Sequence, residues 1–194
     1  MNTEASRTPK QIIVLGTNRT GKTTFVKQLV VSELKKKDSH ILIVVPDDME
    51  WNTVEFVHPK FPERIERYVG ARKIIYFEGL LDIIRERFRN GLLVFDDCRV
   101  YFKAAIQNTK LQDILIRRGQ QMIDIIAVGH GFTQVPPAMF TFATHYVIFR
   151  TKDNIGSRKG TISADDYVEL SEAVSRINVK AIEESHYFEI IKTV

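Results

Sequence analysis

Gln11-Ile12-Ile13-Val14-Leu15-Gly16-Thr17-Asn18-Arg19-Thr20-Gly21-Lys22-Thr23-Thr24 is the stretch on which the reading of this chain turns. Its first five residues form a compact apolar run, which suits a strand buried on both faces. Gly16 closes the run, and from Lys22 onward Phe25 with Leu29 and Val26 with Val30 give the i, i+4 spacing of a helix. Between strand and helix, residues 16–23 fit G-x-x-x-x-G-K-[ST] at every fixed position. The spacing has a chemical reason. Backbone N–H groups must wrap a polyphosphate closely, so the turns need residues without obstructing side chains. The helix that follows directs its positive N-terminal end at the same charge. Lys22 supplies a mobile cation for the β- and γ-phosphates, and the Thr23 hydroxyl is placed to ligate Mg²⁺. Residues 16–24 are therefore the candidate nucleotide-binding set. By chance the four fixed positions coincide in roughly 1% of chains this long, and fewer still set them between a buried strand and an amphipathic helix.

Outward from this unit, β-branched runs alternate with amphipathic stretches. His40–Val45, Lys73–Phe77, Leu92–Phe95, Asp124–Val128, His145–Arg150 and Tyr187–Lys192 read as further strands. Leu80, Leu81, Ile84 and Phe88 mark one helical stripe, and Leu111, Ile114 and Leu115 another within 103–118. Ser163-x-x-Asp166 reads as the N-terminal cap of a last helix carrying Tyr167, Leu170, Val174 and Ile177. Asp47–Gly70 has no clean period; it is a long excursion with short elements and a candidate functional loop. The alternation predicts an α/β fold, a three-layer arrangement with a mainly parallel central sheet flanked by helices. At 194 residues and 44% hydrophobic, one domain over 11–194 is expected behind a polar tail of residues 1–10. The single cysteine, Cys98, excludes an intrachain disulfide and fits a reducing compartment. No apolar run approaches the roughly 20 residues of a spanning helix, and the N-terminal residues lack the apolar core of a secretory signal, so no transmembrane anchoring is expected. With 28 Lys+Arg against 24 Asp+Glu the formal charge is +4, which permits a nucleic-acid partner without demanding one.

A metal carboxylate should stand at the end of a neighbouring strand. Leu92–Phe95 delivers Asp96 to that place, beside the Mg²⁺, with Asp97 one residue on. A second carboxylate there orients or deprotonates the attacking water, and Asp97 is the candidate; the competing reading is a cap on the next turn. Glu is the usual residue at that position, and Asp is one methylene shorter. GTP-specific switches are disfavoured: Thr151-Lys152-Asp153-Asn154 has Asn where their base-reading motif needs Asp, and Arg99 and Val100 occupy the places of their glycine. Arg158-Lys159 between Gly156 and Gly160 could form the lid of a small-molecule or nucleotide kinase, but no acceptor signature accompanies it.

The stretch from Leu115-Ile116-Arg117-Arg118-Gly119 through Asp124–Val128 to Gly129-His130, followed by Thr133-Gln134-Val135-Pro136-Pro137, resembles a block of the FtsK–HerA superfamily of P-loop ATPases. In that superfamily an Arg-rich turn leads into an apolar strand ending in a polar sensor, usually Gln, followed shortly by Pro. In size and layout the chain is most similar to the packaging ATPases of tailless, membrane-containing icosahedral viruses. The resemblance spans roughly residues 11–150 and implies an ASCE, RecA/FtsK-like fold hydrolysing ATP with Mg²⁺. Its implied catalytic set is Lys22, Asp97, Arg117, Arg118 and His130, with Thr23 and Asp96 on the metal. Two departures stand out: Asp97 replaces Glu, and His130 replaces Gln, leaving His130 and Gln134 as alternative sensors of the γ-phosphate. An arginine from one subunit would complete its neighbour's site; Arg117 and Arg118 match that place, and Arg150 is a third candidate. The implied partners are further copies in a homo-oligomeric ring (six subunits is the expectation), double-stranded DNA and capsid vertex proteins, in the host cytoplasm or the virion. Arg85, Arg87, Arg89, Arg99, Lys103, Lys110 and the segment 152–159 are available for DNA phosphates. The alternatives are a related phage assembly or export ATPase, the kinase already mentioned, and a nucleotide-binding regulator without turnover.

Overall fold

The computed structural model describes residues 8–47, 49–102 and 105–193. Most of the polar tail and Lys103 lie outside the described residues. The strands are β1 (Gln11–Leu15), β2 (His40–Val45), β3 (Glu55–Phe56), β4 (Gly70–Ile75), β5 (Gly91–Phe95), β6 (Ile123–Gly129), β7 (His145–Phe149) and β8 (Phe188–Lys192). They form one eight-stranded sheet in the order β3-β4-β2-β5-β6-β1-β7-β8. Every pairing is parallel except β7 with β8, where Phe149 lies opposite Phe188. The helices are α1 (Lys22–Leu34), α2 (Leu80–Arg87), α3 (Ala105–Gln121), α4 (Pro137–Thr141) and α5 (Ala164–Lys180).

Strand periodicity sorts the apolar runs into two cores. Ile13, Leu15, Leu42, Val44, Ile125 and Ala127 face one way, against Leu81 and Ile84 of α2, Leu111 and Leu115 of α3, and Leu170 and Ile177 of α5. Val14, Ile41, Ile43, Val45, Ile126 and Val128 face the other, against Val26 and Val30 of α1 and the indole of Trp51. Parallel strands covered on both faces have no polar side to show, which is why they read as unbroken apolar runs. The two covers are unequal: among the described residues the second face is packed mainly by α1 and the excursion after β2.

Several boundaries differ from the sequence expectation. The third expected strand, Lys73–Phe77, begins earlier and stops at Ile75, because its partner β2 stops at Val45. Pro46 has no N–H to extend the ladder, and only Tyr76 N–H reaches back to the Val45 carbonyl, at 3.0 Å. The excursion holds the two-residue β3 and a 3₁₀ turn over Pro62–Ile65. The last helix is capped as its sequence predicted, with Asp166 N–H donating to Ser163 Oγ at 3.1 Å. Since parallel strands all end at one edge, the loops after β1, β2, β5, β6 and β7 meet there.

Candidate functional site

At that edge the chain leaving β1 becomes the phosphate loop. Thr17 N–H donates to the Arg150 carbonyl at the end of β7, at 2.8 Å, which ties the loop to the sheet. Gly16 is required by close approach: a Cβ there would lie 2.5 Å from Phe149 Cβ and 2.9 Å from Thr20 Oγ1. Gly21, the residue before α1, has φ 101°, a conformation that side chains resist. The Thr20 hydroxyl and the Lys22 ammonium both donate to the Thr17 carbonyl, each at 2.8 Å, so the loop is already curled around its own centre. Lys22 is buried, and burial lowers its pKa, while Asp96, Asp97 and Glu50 nearby pull the other way.

β5 delivers the carboxylates. Asp96 is buried, and Trp51 Nε1–H donates to its Oδ2 at 2.8 Å. The Tyr101 hydroxyl donates to the Asp96 carbonyl oxygen, fixing the backbone beneath it. Burial raises the Asp96 pKa to about 6; the Trp51 bond opposes the rise, and the carboxyls of Glu50 and Asp97 add to it. Asp97 adopts φ 57°, as Trp51 adopts φ 59°. Two non-glycine residues in the left-handed region, both at the carboxylate cluster, are strain that the surrounding packing holds in place. Asp97 Oδ2 lies 3.4 Å from Arg99 Nη2 and 3.9 Å from His130 Nε2, whereas its Oδ1 is buried with no hydrogen-bond partner among the described residues.

β6 ends at Gly129 and places His130 over the same cleft. Burial, then the charge of Lys22, lowers the pKa of His130, and Asp97 opposes them, so the imidazole is neutral at pH 7. Its Nδ1 is also buried without a partner among the described residues, as is Gln134 Oε1. The loop between them is braced from outside. Asp153 Oδ2 accepts from Thr133 N–H at 2.7 Å and from its hydroxyl at 2.8 Å, and Arg158 donates to the carbonyls of Phe132 and Val135 at 2.8 and 2.9 Å. Arg158 is thus spent on this loop, which removes it as a lid arginine. The resulting cleft, about 540 Å³, is lined by Lys22, Thr23, Glu50, Asp96, Asp97 and His130 among others. A second, of about 700 Å³, adjoins it and gathers Arg99, Gln134, Arg150 and Lys152.

The structure therefore brings together the loop residues, Asp96, Asp97 and His130, with Gln134 and Arg150 next door. Arg117 and Arg118 are elsewhere. They lie near the end of α3, which leads into the start of β6, and so at the edge of the sheet opposite the phosphate loop. Arg118 donates to the Leu115 and Phe142 carbonyls at 2.9 and 3.4 Å and lies over the Phe142 ring, and burial lowers its pKa; Arg117 is exposed. Much of the basic set suggested for DNA is engaged within the chain: Arg85 and Lys110 with Asp82, and Arg87 with Glu66. Glu50 and Trp51 were missed by the sequence reading. They sit in an aperiodic loop, and the only signal was the sole tryptophan of the chain just after a strand-ending proline.

The sequence profile of the Zonular occludens toxin (Zot) family matches residues 11–187. No curated protein sequence matches the chain. Among solved structures, the genome packaging NTPase B204 of Sulfolobus turreted icosahedral virus 2 in complex with AMPPCP superposes with a TM-score of 0.67 at 14% identity, covering 96% of this chain and 98% of that one. The same protein in complex with AMP gives 0.72 at 13% identity, covering 95% and 92%. The N-terminal domain of zonular occludens toxin from Neisseria meningitidis gives 0.53 at 14% identity, covering 97% and 96%. The fold is that of the P-loop NTPases, an eight-stranded, mainly parallel sheet flanked by helices, as the sequence predicted. No helix among the described residues is long and apolar enough to cross a membrane.

Proposed function

The chain belongs to the Zonular occludens toxin (Zot) family, and on that premise we propose that it is an ATP hydrolase whose turnover drives double-stranded DNA through a homo-oligomeric ring. One observation carries the nucleotide reading. Around a buried lysine on a G-x-x-x-x-G-K-T loop, three polar atoms from two loops, Asp97 Oδ1 after β5 and His130 Nδ1 and Gln134 Oε1 after β6, are buried without a hydrogen-bond partner among the described residues. Buried polar atoms in native proteins are paired with few exceptions; of the eight unpaired ones among the described residues, these three stand at the phosphate-loop cleft and the cleft adjoining it, where a polar ligand would satisfy them.

The roles follow from position. The loop amides and Lys22 bind the phosphates. Thr23 and Asp96 would hold Mg²⁺, and their hard oxygens in the same cleft suit it; no group of three or more His, Cys, Asp or Glu among the described residues could make a protein-only cage, and Mg²⁺ with nucleotides does not need one. When bound, the ion would neutralise charge on the phosphate oxygens. Asp97 orients the water, with Glu50 as a second carboxylate at the same cleft. His130, neutral, hydrogen-bonds the terminal phosphate, and Gln134 relays its state to the braced loop. Arg117 or Arg118 would act only on a neighbouring subunit, whereas Arg150 lies beside its own site.

DNA as the substrate of the motor rests on the likeness to B204, whose description names genome packaging. A related phage assembly or export ATPase on the same fold is the second reading. The test is ATP turnover with and without linear double-stranded DNA. Stimulation by DNA supports the motor; turnover that requires a small phosphate acceptor instead overturns it in favour of a kinase.

A further inference from the structure

The reacting end of the cleft is fixed by Asp96, Asp97 and His130, which stand at the ends of β5 and β6, on one side of β1. A polyphosphate held with its last phosphate there must carry its nucleoside away on the other side, over β7 and β8. On that side stands the turn between α5 and β8. Its His186 lies against the phosphate loop itself: a Cβ on Gly21 would be 3.1 Å from His186 Cδ2 and 3.4 Å from Phe149 Cε1.

Beneath the turn is a fixed aromatic floor. Phe149 stacks on Phe188 with centroids 4.9 Å apart, and Phe25 meets Phe188 edge-on at 5.1 Å. The antiparallel pairing of β8 with β7 sets Phe188 opposite Phe149 and so delivers the turn to the loop. At the other flank the Lys180 ammonium donates to the Tyr187 hydroxyl at 3.0 Å and lies over its ring at 4.6 Å. Ser185 Oγ lies 3.0 Å from His186 Nδ1, and His186 is otherwise exposed. Residues 183–188 line a concavity of about 480 Å³, rimmed by the exposed carboxylates of Glu183 and Glu184.

We propose that this concavity is the nucleoside pocket, in which a purine base stacks on His186 and the ribose hydroxyls donate to Glu183 or Glu184. The chemistry matches part by part: a flat imidazole for a π-face, and carboxylates, which only accept, for hydroxyls, which can donate. The proposal rests on the nucleotide-binding reading of the loop, and the test separates the two.

Binding of ATP, ADP and inorganic tripolyphosphate to the full chain is measured by calorimetry for the parent, His186→Ala and His186→Phe. The expected result is tighter binding of ATP than of tripolyphosphate by the parent. His186→Ala should lose about tenfold in affinity for ATP and ADP, the scale of one base stack, with tripolyphosphate unchanged and with His186→Phe close to the parent. Equal losses for tripolyphosphate would mean that His186 only shapes the phosphate loop, and would overturn the pocket. So would a parent that binds tripolyphosphate as tightly as ATP. A parent that binds neither overturns the nucleotide reading, and the pocket with it.

Discussion

A carboxyl buried as deeply as Asp96, with two more carboxyls beside it, is held in place at the expense of stability. Its folded-state pKa of about 6 lies above the ordinary 3.8, so between those values the native chain binds more protons than the unfolded one. Stability therefore rises as pH falls from about 6 toward 4, and the penalty is at its full size above 6. Asp96→Asn keeps an acceptor for Trp51 Nε1–H and removes the charge. It should raise the melting temperature at pH 7.5, by an advantage over the parent that shrinks as the pH approaches 4; an equal or lower melting temperature at pH 7.5 would refute this. The ionised group is worth its cost only if a cation meets it, a trade expected of a working site. Asp97→Asn and Glu50→Gln should each lower ATP turnover, the former by about 10²–10⁴-fold, while ATP affinity measured by calorimetry is retained; loss of affinity in parallel would make them binding groups instead. Of these residues Asp96 and Asp97 were legible, because a buried strand announces its end by the first charge. Glu50 was not, since residues after Pro46 follow no period, and only the fold brings its carboxyl to Asp96.

At the scale of elements, the loop after β1 and the loop after β6 are built differently. The first depends on missing side chains. Gly16→Ala would drive a methyl into Phe149 Cβ, so ATP binding should be lost while the far-ultraviolet spectrum is kept; retained binding would show that the loop can shift. The second depends on external braces. Arg158 donates to the Phe132, Thr133 and Val135 carbonyls and stacks over Phe140. Arg158→Ala should cost roughly 2–3 kcal/mol in denaturant unfolding, the scale of hydrogen bonds from a charged donor, and should lower turnover; an unchanged midpoint would contradict the bracing role. The elements around these loops differ in how far the sequence foretold them. β1, β2, β5 and β6 are central, buried on both faces, and so were visible as apolar runs. β3 is a two-residue edge piece with no period to detect. The antiparallel setting of β8 is a matter of which edge the chain returns to, which residue types do not encode, and the turn that carries His186 went unnoticed with it.

For the whole molecule, the layout makes a statement about neighbours. The two cleft mouths and the Arg117–Arg118 pair occupy opposite edges of one sheet, so a single copy cannot use both on one nucleotide. The exposed apolar side chains Val31 and Leu34 lie on α1, which among the described residues is the helix packed on the second face. A ring in which each subunit's arginine reaches the next subunit's phosphates would make the sites interdependent, and DNA threading the ring would contact many copies, each with a formal charge of +4. The measurement that tests this most directly is DNA-stimulated phosphate release by wild-type chain mixed in rising proportion with Arg117→Ala or with Arg118→Ala. The account predicts that DNA stimulates the wild type and that one of the two variants poisons the mixture, so that activity falls far faster than the wild-type fraction. Activity falling in simple proportion to that fraction for both variants, or no stimulation by DNA, would contradict it.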